Sequence, residues 1–224
     1  MVVFMRVDYN NIVPSGCLSV CPAVRLTLRP SDHLTIRPSD RLETMTRITT
    51  TRAYSGRRIS VDLDTVRFPD GSTGSLEMVR HPGASAVVPF LDDPESADPR
   101  VILIRQYRYA AEGYLWEVPA GTLDAGESPT FCAHRELREE AGVEAGTLRH
   151  LATILTTPGF TDEQIHLFAA TGLTRVPAAP EADEFMEIHE LRWSEVGRMI
   201  RAGEVRDGKT LVSLMYVQCF RRSV

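Results

Sequence analysis

Three glutamates, Glu136, Glu139 and Glu140, fall within five positions of one another behind a glycine-rich turn that starts at Gly121. On an α-helix, Glu136 and Glu140 are related as i and i+4 and Glu139 lies at i+3, so all three project to one side. Like charges at that spacing repel, which lowers stability unless a cation offsets them. Arg135, four positions before Glu139, could neutralise part of the charge. A divalent metal held by carboxylate oxygens is the other cation to consider. A charge cluster on a helix is most often a solvated face with intrahelical ion pairs. Two features argue against that here. The loop Gly121-Thr-Leu-Asp-Ala-Gly-Glu127 brings two glycines, and so a close backbone approach, to the helix start. The spacing from Gly121 through Glu127 to Arg135-Glu136 is also specific.

These side chains need a helix and the strands around it. Ser128-Pro129 reads as an N-cap followed by proline at the first helical position, and Gly142 as a C-terminal glycine, so the helix should run to about Ala141. Ala133, Leu137 and Ala141 recur every four residues as its packed stripe. Upstream, the run 58–68 alternates apolar and polar residues, turns at 69–74 and returns at 75–80, giving a small antiparallel unit at about 50–80. Two buried strands are expected at 84–91 and 100–107, and Trp116–Ala120 leads into the turn. Downstream, strands at 148–155 and 164–170 precede an acidic loop at 180–184 and a strand at 185–193. Ser194 is expected to cap a helix to about Ala202, and 211–220 forms a last apolar helix. Strands and helices mixed in this order imply an α/β layer fold.

Bulk properties exclude several classes. The 224 residues, 43% apolar, suffice for one sizeable core. Net charge is −5, and Lys209 is the only lysine among 25 basic residues, so no basic excess or stripe marks a nucleic-acid binder. No run reaches the length of a membrane span. Cys17, Cys21, Cys132 and Cys219 lack the neighbours of a zinc site and read as reduced thiols of a cytoplasmic protein. The first 44 residues stand apart, with LTLRPSD at 26–32 repeated imperfectly as LTIRPSD at 34–40. Two short copies cannot build a solenoid. The expectation is a disordered tail or a mis-called start with Met45 as initiator. The domain reading is therefore an extension at 1–44, a small antiparallel unit at 45–81 and a main domain at 82–224.

The stretch from Gly121 to Val143 resembles the Nudix box. Gly121, Glu127 and the run Arg135-Glu136-Leu137-Arg138-Glu139-Glu140-Ala141-Gly142-Val143 match the motif at every defined position. The resemblance covers about 50–224. It implies a Nudix α/β/α sandwich with a mixed sheet plus a small N-terminal antiparallel sheet. It also implies a hydrolase that cleaves a nucleoside diphosphate linked to another group, using water and Mg²⁺, with Mn²⁺ as the alternative. The physics agrees, because a pyrophosphate would be repelled by the carboxylates unless metal ions sat between them. By family analogy Glu136, Glu140 and the backbone carbonyl of Ala120 hold metal and Glu139 supports them. Arg135 orients the carboxylates and Glu127 braces the loop against the helix.

The flanks resemble the ADP-ribose pyrophosphatase branch. Pro158 lies fifteen positions after Val143 in a Pro-Gly turn, and Arg105-Gln-Tyr-Arg108 and Trp116-Glu117 look like that branch's approach to the box. In the branch the residues matching Arg108 and Glu117 contact substrate. The acidic loop supplies a glutamate as general base or further metal ligand; Glu184 is the choice, with Asp183, Glu181 and Glu187 as substitutes. The branch packs its N-terminal sheet across a two-fold axis, so a homodimer is expected; Tyr54 and Phe68 are candidates for stacking on the base. The implied reaction is hydrolysis of ADP-ribose to AMP and ribose 5-phosphate. Another nucleoside diphosphate sugar such as GDP-mannose is the nearest rival, ahead of a non-catalytic ADP-ribose sensor and of nucleoside triphosphate sanitation.

Overall fold

In the computed structural model, which describes residues 44–178 and 185–220, a three-stranded antiparallel sheet comes first. It comprises β1 (Thr46–Ser55), β2 (Ser60–Arg67) and β3 (Thr73–Arg80) in that spatial order. The expected alternation is present in β2, but its buried face is largely the polar one. Asp62, Asp64 and Val66 point inward while Leu63 is exposed. All ten residues of β1 are exposed.

The main body follows as β4 (Ala84–Pro89), β5 (Arg100–Arg108), β6 (Gly113–Glu117), β7 (Ala120–Thr122) and α1 (Pro129–Ala141). Then come β8 (Val143–Glu144), β9 (Thr147–Leu155), β10 (Gln164–Thr171), β11 (Thr174–Arg175) and β12 (Met186–Arg192). Helices α2 (Trp193–Arg201) and α3 (Gly208–Phe220) end the described chain. A mixed sheet has the order β7-β4-β10-β9, with β4 and β10 parallel and the other pairs antiparallel. An antiparallel sheet has the order β12-β5-β6, and β11 pairs with β8.

Strand periodicity sorts the core into two layers. Ala86, Val88, Leu103 and Leu167 pack with Val196 of α2 and Leu214 and Val217 of α3. The intervening Val87, Ile102 and Phe168 pack with Ala133, Leu137 and Ala141 of α1. The sheets thus carry α1 on one face and α2 with α3 on the other, as the α/β/α expectation required. Burying each large aliphatic side chain contributes about 1.5–3 kcal/mol.

Helix α1 has the expected limits. Ser128 accepts a hydrogen bond from the Phe131 N–H, and Gly142 caps the other end at φ 61°, a left-handed conformation suited to glycine. Ser194 does not cap α2, which starts one residue earlier at Trp193. Asp98 takes that part from a distant loop, accepting from the Ser194 N–H at 2.8 Å and from its hydroxyl at 3.0 Å. Helix α3 begins at Gly208, three residues before the apolar run, because the Asp207 carboxylate accepts from the Thr210 N–H at 2.9 Å. The expectations for the repeat-bearing tail through residue 43 and for the acidic loop at 180–184 lie outside the described residues. Among the described residues no helix is long and apolar enough to cross a membrane.

Buried carboxylates in β2 demand cations, and Arg80 supplies one. Its guanidinium bonds Asp62 at 3.0 Å, Asp64, and Asp162 of the 158–163 turn at 3.2 Å. The Arg52 side chain also bonds Asp62, and the Thr50 hydroxyl donates to Asp64 at 2.7 Å. Backbone bonds from Val79 N–H to Phe160 O at 2.8 Å and from His81 N–H to the Asp162 carboxylate at 2.9 Å complete a latch between the first sheet and that turn. Arg52 and then Arg80 hold the Asp62 carboxyl below its usual range; for Asp64 the Thr50 bond comes first, then Arg80. A depressed carboxylate stabilises the fold above its unfolded value of about 4, and that contribution is lost as pH falls through the lower folded value. Arg80→Met is therefore expected to lower Tm by several degrees near neutral pH. The gap from wild type should narrow below about pH 4 in thermal melts across pH.

Candidate active site

The carboxylate helix is reached through β7, whose backbone runs directly against α1. The Ala120 N–H donates to the Glu140 carboxylate at 2.7 Å, and Glu140 is only 1% exposed. At Gly121 a Cβ would lie 1.8 Å from Glu136 Oε1 and 2.2 Å from its Cδ, so any larger residue would push the Glu136 carboxyl group aside. Ser85 of β4 fastens the helix start by donating to the Pro129 carbonyl at 2.7 Å. Cys132 packs beside the same strand, with its thiol directed at the Gly121 carbonyl at 3.4 Å. Burial pushes that thiol up to about 12, so it stays protonated at neutral pH.

Arg135 is the cation that the crowding requires. Its fork donates to both Glu127 oxygens, at 2.9 and 3.0 Å, and to the Thr122 carbonyl at 3.0 Å. The remaining nitrogen bonds Glu136 and reaches Glu139 at 3.1 Å. Glu127 in turn accepts from the Asp124 N–H at 2.9 Å, which ties the glycine-rich loop to the helix. The Arg135 hydrogen bonds, with burial opposing, hold Glu127 below the usual carboxylate range. Arg135 is held above its usual value, first by Glu127. Arg138 points away, lying 3.8 Å from exposed Glu144.

Glu136, Glu139, Glu140, Ala120, Gly121 and Arg135 line one cavity of about 700 Å³. Arg108 lines it as well, from the end of β5. Glu117 does not. It is 1% exposed and lies behind Arg108, which grips both of its oxygens at 2.8 Å. Burial acts to raise the Glu117 carboxyl, but Arg108 and Lys209 outweigh it and hold the group below its usual range. Glu187 is engaged elsewhere, with its carboxylate 3.1 Å from His189 and 3.7 Å from Arg105 on β12 and β5. Glu184, Asp183 and Glu181 lie outside the described residues. Tyr54 lies on β1 and Phe68 follows β2, and both are absent from this cavity's lining.

The cavity also gathers residues that spacing did not mark: Arg57 and Arg58 at the β1–β2 tip, Glu163 after the Pro158 turn, and Lys209 at the start of α3. Arg57 and Arg58 look in sequence like any surface arginines. Lys209 carried one signal, its singularity in an arginine-rich chain.

The donor chemistry suits a hard divalent ion, since three carboxylates line the cavity beside Ala120. Among the described residues no three carboxylate, imidazole or thiol groups converge on one point, and Arg135 rather than a shared centre links Glu136 to Glu139.

Comparison with known proteins agrees with this geometry. A family model for the NUDIX domain matches residues 80–213. Over 173 residues the chain is 38% identical to the methanol dehydrogenase activator of Bacillus methanolicus, covering 76% of this chain and 91% of that protein. It is 35% identical over 173 residues to the ADP-ribose pyrophosphatase of Bacillus subtilis (strain 168), with 76% of this chain and 91% of the relative covered. A solved structure described as an ADP compounds hydrolase matches in fold with a TM-score of 0.69, at 22% identity, over 81% of this chain and 96% of that one. The chain belongs to the Nudix hydrolase family, in the branch that includes ADP-ribose pyrophosphatases, and is a pyrophosphohydrolase.

Proposed function

We propose that the chain hydrolyses the pyrophosphate bond of ADP-ribose to AMP and ribose 5-phosphate with Mg²⁺, for which Mn²⁺ can substitute. One observation carries the reading: the carboxylates of α1 share a cavity with Arg108 and Lys209. Cations draw in a diphosphate, and carboxylates tolerate it only with a metal between them. In this scheme Glu136, Glu140 and the Ala120 carbonyl hold the metal, with Glu139 in support. When bound, the ion neutralises phosphate charge and lowers the pKa of an attacking water. Arg135 holds the carboxylates in register, and Arg108, backed by Glu117, binds a phosphate oxygen. Glu184 takes the proton of the water as its oxygen bonds to one phosphorus. The bridging P–O bond then breaks, and its electron pair leaves on the other phosphate.

Residues 82–224 would form the hydrolase domain and 45–81 a dimerisation unit in a cytoplasmic enzyme. The exposed β1, with Ile48 and Tyr54, and outward-facing Leu63 on β2 support pairing with a second copy. Light scattering should then give twice the chain mass; a monomer at working concentration would refute the homodimer.

Steady-state turnover of a nucleoside diphosphate sugar panel, with and without Mg²⁺, tests the reaction. ADP-ribose should rank first and need the metal. A better GDP-mannose rate would move the substrate assignment while keeping the chemistry. Glu140→Gln should lower kcat/KM by at least about a hundredfold. Gly121→Ala should fold with a Tm near wild type, because only the end of the Glu136 side chain must move, yet lose most Mg²⁺-dependent turnover. Full activity in that variant would count against a role for Glu136 in metal binding.

A further inference from the structure

We infer that Lys209 is a second phosphate contact beside Arg108, and that Glu117 is the positioning residue holding both cations at the cavity wall. The inference rests on the proposed hydrolysis of a nucleoside diphosphate sugar and names a further group that grips its diphosphate.

Three observations carry it. First, both Glu117 oxygens are held by cations. Arg108 Nε takes Oε1 at 2.8 Å, Arg108 Nη2 takes Oε2 at 2.8 Å, and the Lys209 ammonium also bonds Oε2. A ligand in the cavity meets the two cations first and the buried anion only behind them.

Second, the backbone that carries Lys209 is tied to the strand end beside Glu117. Asp207 accepts from the Thr210 N–H at 2.9 Å and from its hydroxyl at 2.6 Å. The fully buried Thr210 hydroxyl oxygen accepts from the Val118 N–H at 2.9 Å. Lys209, in the first turn of α3, is therefore held close to Glu117. Its ammonium lies 3.1 Å from Asp207, and its side chain is only 14% exposed.

Third, a counter-charge for Glu117 does not require Lys209, because the Arg108 fork already engages both carboxylate oxygens. An ammonium has three N–H donors. Among the described residues Glu117 accepts from one and the Asp207 carboxylate lies 3.1 Å away, which leaves at least one for an oxygen in the cavity. A compact ammonium also adds what a planar guanidinium lacks, a point charge that turns to follow a phosphate oxygen. Of the 25 basic residues, this is the only lysine.

That singularity makes the test direct, since Lys209 is the only side-chain amine. Wild-type enzyme is acetylated with N-hydroxysuccinimidyl acetate, with and without α,β-methylene-ADP-ribose and Mg²⁺, and the modified peptides are quantified by mass spectrometry. The analogue should slow acetylation of Lys209 and leave the α-amino rate unchanged. In kinetics, Lys209→Met should raise KM about 10- to 100-fold with a smaller change in kcat. Lys209→Arg, which keeps the charge but not the compact ammonium, should recover only part of the loss. A purely structural ion pair would lower the Tm of Lys209→Met without moving KM. If wild type hydrolyses ADP-ribose but Lys209→Met keeps its KM, or the analogue leaves acetylation unchanged, the assignment of Lys209 falls alone. If wild type hydrolyses no nucleoside diphosphate sugar, the functional reading falls and this inference with it. Should Lys209→Met fail to fold, protection of the wild-type amine and the KM of Lys209→Arg decide.

Discussion

The hydrogen bonds of Arg135 make the rest of the site compatible with a stable fold. One guanidinium binds Glu127, Glu136, Glu139 and the Thr122 carbonyl, joining loop, strand and helix through a single group. Without it α1 would carry three carboxylates on one side, two of them buried, with repulsion working against the helix itself. The apolar stripe Ala133, Leu137 and Ala141 then anchors the helix on the sheet, so the acidic side faces the cavity by default. Helix packing and charge compensation are thus two parts of one requirement.

Arg80 repeats the same logic in the first sheet. Asp62 and Asp64 are buried where apolar residues would have been simpler, and a single arginine joins them to Asp162. Glu163, which lines the cavity, is the very next residue, so the charge-based latch also fixes one wall of the site. Three arginine-centred clusters, at Arg80, Arg135 and Arg108, bind the elements around the cavity to one another. This accounts for part of the chain's high arginine content in structural terms: the planar fork suits two-point attachment to carboxylates.

Much of this was legible from residue order. The limits of α1 followed from Ser128, Pro129 and Gly142, because caps act locally and leave a local trace. The buried strands showed as apolar runs, and the box residues by their spacing. The polar burial in β2 was not legible, since period two reveals that faces differ but not which one a distant arginine will cover. Ser194 misled for a related reason: its cap comes from Asp98, almost a hundred positions away. Lys209, Arg57 and Arg58 reach the cavity only through tertiary placement, which no short window encodes. The placement of Glu117 behind Arg108, not on the cavity wall, likewise depends on how β5 and β6 pair.

That placement has a consequence for binding. A solvent-facing arginine or lysine samples many rotamers, and fixing one on a ligand costs about 0.5–1.5 kcal/mol of entropy. Glu117, clamped between Arg108 and Lys209, has already removed that freedom during folding. The ordering is charged to the stability of the protein and is absent from the binding equilibrium. An anion entering the cavity therefore finds its cations oriented, and discrimination can depend on the spacing of its oxygens rather than on total charge.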